Sequence, residues 1–295
     1  MISLNEKDFI LSALESGQRI DGRGPFDYRK ISAQFHQKRG QVEVSLGDTL
    51  VYSATSASLV EPYPDRPHEG FLNFQVEFLP MAHPHFENLI GPVSQKNKRI
   101  RNDISGEIER LLEKSLRRAK ALNVESLSVV SGKHVWSITV NIHILTHSGN
   151  LVDACAIAAV ISLLHMQVPD YKVLPDKSLE KLPVYKPLSL HFLPISITLG
   201  LLPNSQVILD PLFKEELLLE GKVVVSMNVY GDILACQKTG GGSLSTELLM
   251  QCIEVARVKV KDITHLIRNS VSTAPLVEPQ RVNLQRAQNL LEQVL

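Results

Sequence analysis

The segment Val42–Thr55, with the sequence VEVSLGDTLVYSAT, carries a clear strand-and-turn pattern near the start of the chain. Apolar and polar residues alternate from Val42 to Leu46, as they do in a strand that buries one face. Gly47-Asp48 then supplies residues that favour a tight turn, and Leu50–Tyr52 returns to strand-forming residues. The segment therefore predicts an antiparallel β-hairpin.

A second segment, residues 223–239 with the sequence VVVSMNVYGDILACQKT, repeats this arrangement. Two alternating runs again flank a Gly-Asp turn, here Gly231-Asp232. Because the two halves also have similar layouts, the echo indicates an internal pseudo-repeat. We expect two related halves, covering residues 1–185 and 186–268, followed by a separate tail at 269–295.

Helical patterns mark further segments. Apolar residues recur on one side of Asp103–Leu122, Leu151–His165 predicts a second helix, and the glycine turn and Ser/Thr cap of Lys238–Glu247 begin a long third one. Residues 1–20 predict a short amphipathic helix. Residues 168–194 hold five prolines, too many for regular structure, so we expect a long irregular crossover between the halves.

Composition bounds the class of protein. The chain has 295 residues, of which 44% are hydrophobic, so it can bury a sizeable core. Its 31 basic and 31 acidic residues cancel, so RNA binding would need a local basic patch. The three cysteines, Cys155, Cys236 and Cys252, predict buried free thiols in a reducing compartment. Without a signal peptide or a membrane-length apolar run, we expect a soluble intracellular protein with no membrane contact.

Cations are concentrated on the Asp103–Leu122 helix. At helical spacing they form one stripe away from the leucines: Arg110, Lys114, Arg117 and Arg118. Two more precede it, Arg99 and Arg101. Such a stripe can follow an RNA backbone, each contact displacing a counterion. The alternative, which composition alone favours, is a solvated face whose cations pair with Glu107, Glu109 and Glu113.

An acidic group lies further along, within an apolar stretch: Asp210, Glu215, Glu216 and Glu220. Carboxylates can serve as a general acid or as metal ligands. Because these four are spread through apolar residues, the pattern favours a solvated helix face. His83 and His85 have no carboxylate or cysteine at ligand spacing, so we expect no metal site.

The chain closely resembles the ribonuclease PH family, and within it the ring subunits of the RNA exosome, over about residues 1–268. The resemblance is carried by RIDGRGPFDYRKI, VSLGDTLVYSATS, GFLNFQVEFLPMA, EIERLLEKSLRRAKALNVESL, SGKHVWSITVNIHILTHSGNLVDACAIAA and DPLFKEEL. It implies an α+β fold of two similar β-α halves with sheets packed against helices. It also implies a hexameric ring around a central RNA channel.

The same resemblance exposes two departures from the active members. Their phosphate-binding turn reads Gly-Gly-Thr-Arg-Thr-Ala-Ser, whereas this chain has Gly149–Cys155, with Asn150 in the turn, Val152 in the arginine position and Cys155 in the serine position. An isopropyl group makes no bidentate contact with phosphate, and Asp153 adds a charge expected to repel it. Lys222 stands where active members keep a catalytic aspartate, and an ammonium cannot replace that carboxylate. We therefore expect no catalytic residue, cofactor or metal.

The RNA-facing role can survive these losses. In the archaeal counterpart of such a ring subunit, two basic residues four positions apart on the equivalent helix line the RNA channel. Arg110 and Lys114 hold the matching positions in this chain. The resemblance thus favours RNA binding by this pair, with Arg117, Arg118, Arg99 and Arg101 as weaker candidates. Phosphate contacts carry no base specificity, which suits a conduit for any sequence.

The leading hypothesis is a non-catalytic ring subunit that guides RNA to a separate 3′-5′ exoribonuclease. It implies related ring subunits, RNA-binding cap subunits and RNA as partners, in the nucleus, the nucleolus and the cytoplasm. One alternative is a phosphate-dependent exoribonuclease that acts in a composite site with a neighbour. Another is a docking platform formed by the tail, where Leu284, Ala287, Leu291 and Val294 make a narrow apolar stripe.

Overall fold

The computed structural model describes residues 3–83, 95–173, 179–203 and 206–273, with the side chains of residues 4, 15, 95–103, 173, 179 and 181 excepted. The strands are β1 Ile31–Phe35, β2 Gln41–Leu46, β3 Thr49–Val60, β4 Phe71–Phe78, β5 Ser128–Val130, β6 His134–Thr146, β7 Gln167–Val173, β8 Leu179–Pro187, β9 Ile195–Leu201, β10 Val207–Leu209, β11 Gly221–Met227 and β12 Ile233–Gly240. The helices are α1 Leu4–Glu15, α2 Gln95–Leu112, α3 Leu151–His165, α4 Phe213–Glu216 and α5 Thr246–Ser272. Short 3-10 turns cover Pro80–Ala82 and Glu125–Leu127, and a π-helical turn covers Glu113–Arg118.

Each predicted hairpin forms part of one sheet. The first sheet has the order β1-β2-β3-β6-β4, with β5 paired to β6, and Val44 of β2 pairs with Val51 of β3. The second sheet has the order β10-β9-β11-β12, and its β11–β12 hairpin is the predicted echo. Each half therefore contains a sheet with one Gly-Asp hairpin, as the pseudo-repeat predicted.

Helix α3 joins the two sheets into one core. Nearly every residue from Leu151 to His165 is buried, and the helix contacts β2, β3 and β6 on one side and β9 and α5 on the other. A helix that is apolar on all faces is stable only when it is covered on all faces. The start and end of this helix agree with those predicted from the sequence.

Helix α1 packs against the second half of the molecule. Ile10 and Leu14 are buried in a small cluster with Leu202, Ile208 and Leu218. The amino-terminal helix thus joins one half to the other.

Helix α5 lies toward the opposite end of the chain. Ser245 caps it by accepting a hydrogen bond from the Leu248 amide, and the helix continues past residue 268 to Ser272.

Residues 167–187 correct one expectation. The prolines predicted an irregular crossover, and this prediction is wrong for β7 and β8, which pair as an antiparallel two-stranded ribbon. Pro169 pairs with Tyr185, and the register breaks immediately after it. A two-stranded ribbon has two free edges, where a proline without an amide hydrogen costs no ladder hydrogen bond.

All three cysteines are free thiols, as predicted. Cys155 and Cys252 are buried, but Cys236 is exposed, contrary to expectation. Its position explains this, because it lies on β12, an edge strand of the second sheet. Among the helices in the described ranges, none is both long enough and apolar enough to cross a bilayer.

Candidate functional site

Two residues with positive φ, Gly149 and Asn150, shape the turn before α3. Gly149 has φ +101°, and a β-carbon there would lie 2.5 Å from the Phe213 amide nitrogen. Asn150 follows in the left-handed region with φ 49°. Its buried side chain donates to Asp153 Oδ2 at 2.8 Å and to Asp210 Oδ1 at 2.7 Å, which fixes the turn against both halves.

A carboxylate of the protein itself lies at the amino-terminal end of α3. The Asn150 backbone N–H donates to Glu216 Oε1 at 2.9 Å. Helix amino termini attract anions through their free N–H groups and the helix dipole. Burial raises the pKa of Glu216, while the hydrogen bond from Asn150 acts in the opposite direction. Glu216 thus places a carboxyl group of the protein where an anion would approach the helix.

The two side chains expected at the phosphate-ligand positions, Val152 and Cys155, face the core. Val152 is only 6% exposed and Cys155 is fully buried, both within the main apolar cluster. Burial raises the pKa of the Cys155 thiol far above its ordinary value. In this position Val152 has no donor for phosphate, and Cys155 is an uncharged thiol shielded from solvent.

Asp153 has a role that the sequence did not indicate. It is fully buried, and its carboxylate accepts hydrogen bonds from the Thr198 amide (2.9 Å) and hydroxyl (2.7 Å), from Tyr28 (2.8 Å) and from Asn150. Burial raises its pKa to about 6. The expected free charge beside the turn is therefore an engaged group that ties α3 to β9 of the second sheet.

Two carboxylates of the acidic group are buried. The prediction that this group forms a solvated helix face is wrong for Asp210 and Glu215, which are both fully buried. Asp210 accepts two hydrogen bonds from the Arg29 guanidinium, each 2.8 Å long, and one from Arg23 at 2.9 Å. Glu215 pairs with the buried Arg19. A buried carboxylate remains ionised only when such partners compensate for lost water.

Arg29 extends this network to the turn itself. Its guanidinium donates to the Gly149 carbonyl at 3.1 Å and to the Ser148 carbonyl at 3.3 Å as well as to Asp210. The segment RIDGRGPFDYRK thus supplies the cations that position the turn from more than a hundred residues away. These residues carry the family resemblance, but nothing in their spacing indicates their partners.

Lys222 lies beside helix α2, at the junction of the two halves. Its Nζ is 3.7 Å from Glu107 Oε2, and the side chain is 27% exposed. Glu107 Oε1 also accepts from the Thr239 hydroxyl at 2.7 Å and from Gln237 Nε2 at 3.2 Å. Lys222 is therefore part of an ion pair that links β11 to α2, and it offers no carboxylate for acid catalysis.

A neutral imidazole borders the same turn. Burial lowers the pKa of His147 to about 4, with a smaller contribution from His83. His147 Nδ1 accepts from the Gly149 N–H at 3.3 Å, and its ring meets Phe213 edge to face. Within the described residues, no three histidine, cysteine, aspartate or glutamate side chains are grouped to hold a metal ion.

The basic helix divides into two parts. Arg110 and Lys114 are exposed, and among described residues neither has a carboxylate within ion-pair distance. Their expected partners are engaged elsewhere: Glu107 faces Lys222, and Glu109 accepts from the Val76 amide at 2.8 Å. This leaves the pair available to an external anion.

The remaining cations do not continue this stripe at α-helical spacing. From Glu113 to Arg118 the chain adopts a π-helical turn, so the spacing on which the single stripe rested does not apply to Arg117 and Arg118. Arg117 pairs with Glu113 at 3.2 Å, and Arg118 is exposed. Arg99 and Arg101 belong to α2, but their side chains lie outside the described residues.

Comparison with known families agrees with this architecture. Residues 27–169 match the model of the 3′ exoribonuclease family, domain 1, and residues 193–259 match domain 2 of the same family. The chain belongs to the 3′ exoribonuclease, or ribonuclease PH, family. The family resemblance read from the motifs and the expected ribonuclease PH-like α+β fold are thereby confirmed.

Individual relatives show which members of the ribonuclease PH family this chain is similar to. The chain is 37% identical over 279 residues to exosome complex component RRP45A of Arabidopsis thaliana, covering 92% of this chain and 87% of that protein. It is 38% identical to human exosome complex component RRP45, covering 89% of this chain but only 58% of the human one. A solved structure of the Archaeoglobus fulgidus exosome with RNA bound to the active site aligns with a TM-score of 0.74 at 28% identity, covering 88% of this chain and 96% of that one.

Proposed function

We propose that this chain is a ring subunit of the RNA exosome that guides RNA and has no phosphorolytic site of its own. Similarity to proteins named exosome complex component RRP45, and to a chain of an archaeal exosome, supports the assembly. Its partners are then other ribonuclease PH-like subunits in a six-membered ring, RNA-binding cap subunits, RNA and an associated 3′-5′ exoribonuclease. It acts in the nucleus, including the nucleolus, and in the cytoplasm.

One observation carries the non-catalytic part of the proposal: the hydrogen bond from the Asn150 amide to Glu216. The amino terminus of α3 already has an anion beside it, and Val152 and Cys155 are turned into the core. A phosphate dianion would have to approach the Glu216 carboxyl group, and Arg29, the arginine at this turn, is already engaged by Asp210 and by the Gly149 and Ser148 carbonyls. This favours a phosphate site that the protein's own Glu216, Val152 and Cys155 side chains have made unable to hold phosphate.

The unpaired cations support the RNA-guiding part. Arg110 and Lys114 are exposed, lie one helical turn apart and have no described carboxylate partner. Two such cations bind phosphates of any sequence, which is what a conduit requires. We place Arg117, Arg118, Arg99 and Arg101 as secondary RNA contacts, with Arg117 the weakest because Glu113 already pairs with it.

We also propose the division of the chain into a first half at 1–185, a second half at 186–268 and a tail at 269–295, of which residues 269–272 form the last turn of α5. The two family models, at 27–169 and 193–259, fall one in each half. The contact of α1 with the second half means that neither half would keep its whole core if it were separated.

The proposal is tested by incubating the purified chain, alone and assembled with a catalytically blocked neighbour, with inorganic phosphate and oligo-RNA. We expect no release of nucleoside diphosphates in either case. Release from the assembly with the blocked neighbour would show that this chain contributes a working phosphorolytic site, and it would refute the non-catalytic role. Failure of the chain to enter a ring would refute the assembly.

A further inference from the structure

A cavity of about 640 Å³ opens between the β7–β8 ribbon and the first sheet, away from the turn before α3. Among the described residues, the charged side chains on its wall are both cations, Lys38 and Arg39, and no carboxylate lines it. The rest of the wall is mostly apolar or aromatic and includes Leu59, Trp136 and Tyr185. The cavity therefore combines positive charge with an apolar floor.

Arg39 is held in this wall with unused hydrogen-bonding capacity. Its guanidinium carbon lies 3.4 Å from the centre of the Tyr185 ring, a cation–π contact that orients the group. Nε and Nη2 are shielded from solvent, and neither donates to an acceptor in the described structure. A buried donor without a partner is unfavourable, more so when it carries charge.

The same edge of the guanidinium has a defined use elsewhere in this molecule. Arg19 donates from Nε and Nη2 to the two oxygens of Glu215, and Arg29 donates from Nε and Nη2 to the two oxygens of Asp210. This is bidentate recognition of a carboxylate. Arg39 presents the same two donors, and among the described residues no carboxylate meets them.

Gln167 adds a hydrogen-bond acceptor to the same wall. Its Oε1 is also buried on the cavity wall and accepts no hydrogen bond within the described part of the chain. The cavity therefore requires an acceptor for Arg39 and a donor for Gln167, beside an apolar surface. An acidic residue in a peptide supplies all three, through its carboxylate, its backbone N–H and its apolar neighbours.

We propose that this cavity is a docking site for an acidic, apolar-flanked peptide segment of a partner protein, with Arg39 as the bidentate carboxylate receptor. The guanidinium must turn toward the opening to meet the carboxylate, and the broad attraction of the Tyr185 face allows this movement. RNA is the less suitable occupant, because Lys38 and Arg39 provide only two cations for a run of phosphates, and the Tyr185 ring on which a base could stack is already covered by the Arg39 guanidinium.

Trp136 makes the proposal directly measurable, since it lines the cavity and is the single tryptophan of the chain. The isolated full-length chain is titrated with acetyl-Leu-Glu-Leu-Glu-Leu-amide while tryptophan fluorescence is recorded. We expect a saturable change, with affinity about tenfold lower for the peptide in which glutamine replaces glutamate. Arg39→Gln should lose the same factor, and so should Arg39→Lys, which retains the charge without the two-pronged edge.

Arg66→Gln is the matched control, because Arg66 is an exposed arginine outside the cavity. It should bind the acidic peptide as the unchanged chain does. Equal affinity for the two peptides, unchanged binding by both Arg39 variants, or absence of any saturable change would overturn the proposal. Tighter binding of oligouridylate than of the acidic peptide would also overturn it and assign the cavity to RNA. Because the isolated chain is used, these outcomes are independent of the ring assembly proposed above.

Discussion

Asp210 is the group whose removal should cost this fold most. It is fully buried and lies between Arg29, Arg23 and Asn150, which all belong to the first half of the chain, while Asp210 belongs to the second. Burial alone would raise the pKa of Asp210, but the hydrogen bonds and charge of Arg29 hold it below its ordinary value. Its stabilising contribution is therefore fully present at pH 7 and is lost only as the pH falls below about 4.

The perturbation is Asp210→Asn, which keeps the size of the side chain and removes its charge. The amide cannot accept two hydrogen bonds from Arg29 with both of its polar atoms, and it leaves a buried guanidinium uncompensated. Breaking a buried pair in this way costs about 3–5 kcal/mol. For a chain of this size, such a loss lowers the melting temperature by roughly 6–20 °C.

The assay is urea unfolding at pH 7, followed by the fluorescence of Trp136. Asp170→Asn is the matched control, because Asp170 makes an ion pair of 2.7 Å with Lys186 on the surface. Exposed pairs are screened by water and salt, so this variant should unfold at nearly the same urea concentration as the unchanged chain. Equal midpoints for Asp210→Asn and Asp170→Asn would refute the assignment of the Arg29–Asp210 network as the support of the turn.

Three other results follow from the same geometry. The raised pKa of Asp153 means that the folded state binds the proton of this carboxyl group more tightly than the unfolded chain does. The free energy of unfolding should therefore fall by about 3 kcal/mol as the pH rises from about 4 to about 6. Asp153→Asn should flatten that slope in unfolding experiments. Gly149→Ala should destabilise by at least about 2 kcal/mol and by more than Gly132→Ala, because both have positive φ but only Gly149 would press a β-carbon onto backbone; equal costs would contradict this. Arg110→Glu with Lys114→Glu should weaken RNA binding by the assembly and reduce its salt dependence by about two counterions. The exposed pair Arg257 and Lys261, changed in the same way on α5, is the control, and an equal loss in both double variants would remove the special role of α2.

Features with a local cause could be predicted from the sequence. The β2–β3 hairpin follows from alternation around Gly47-Asp48, and α3 follows from an apolar run that begins directly after a turn. The Ser245 cap is likewise a property of adjacent residues. The vacant arginine and serine positions in the turn were visible because the family pattern gave a reference for Val152 and Cys155.

Features with a distant cause could not be predicted. Asp210 and Glu215 are buried because Arg29 and Arg19 reach them from the opposite end of the chain, and no periodicity reports that distance. Glu216 was placed on a solvated face for the same reason, since its partner is the amide of Asn150. The proline-containing ribbon was missed because a proline on a free edge does not interrupt pairing.

The most direct test of the account is whether inorganic phosphate binds at the start of α3. Amide resonances of Asn150–Cys155 can be followed in a labelled full-length chain as phosphate is added at constant ionic strength. The account predicts no saturable shift of these amides, because Glu216 and the core already engage the groups that would hold the ion. A saturable shift confined to Asn150–Cys155 would contradict it and would restore the chain to the phosphate-using members of its family.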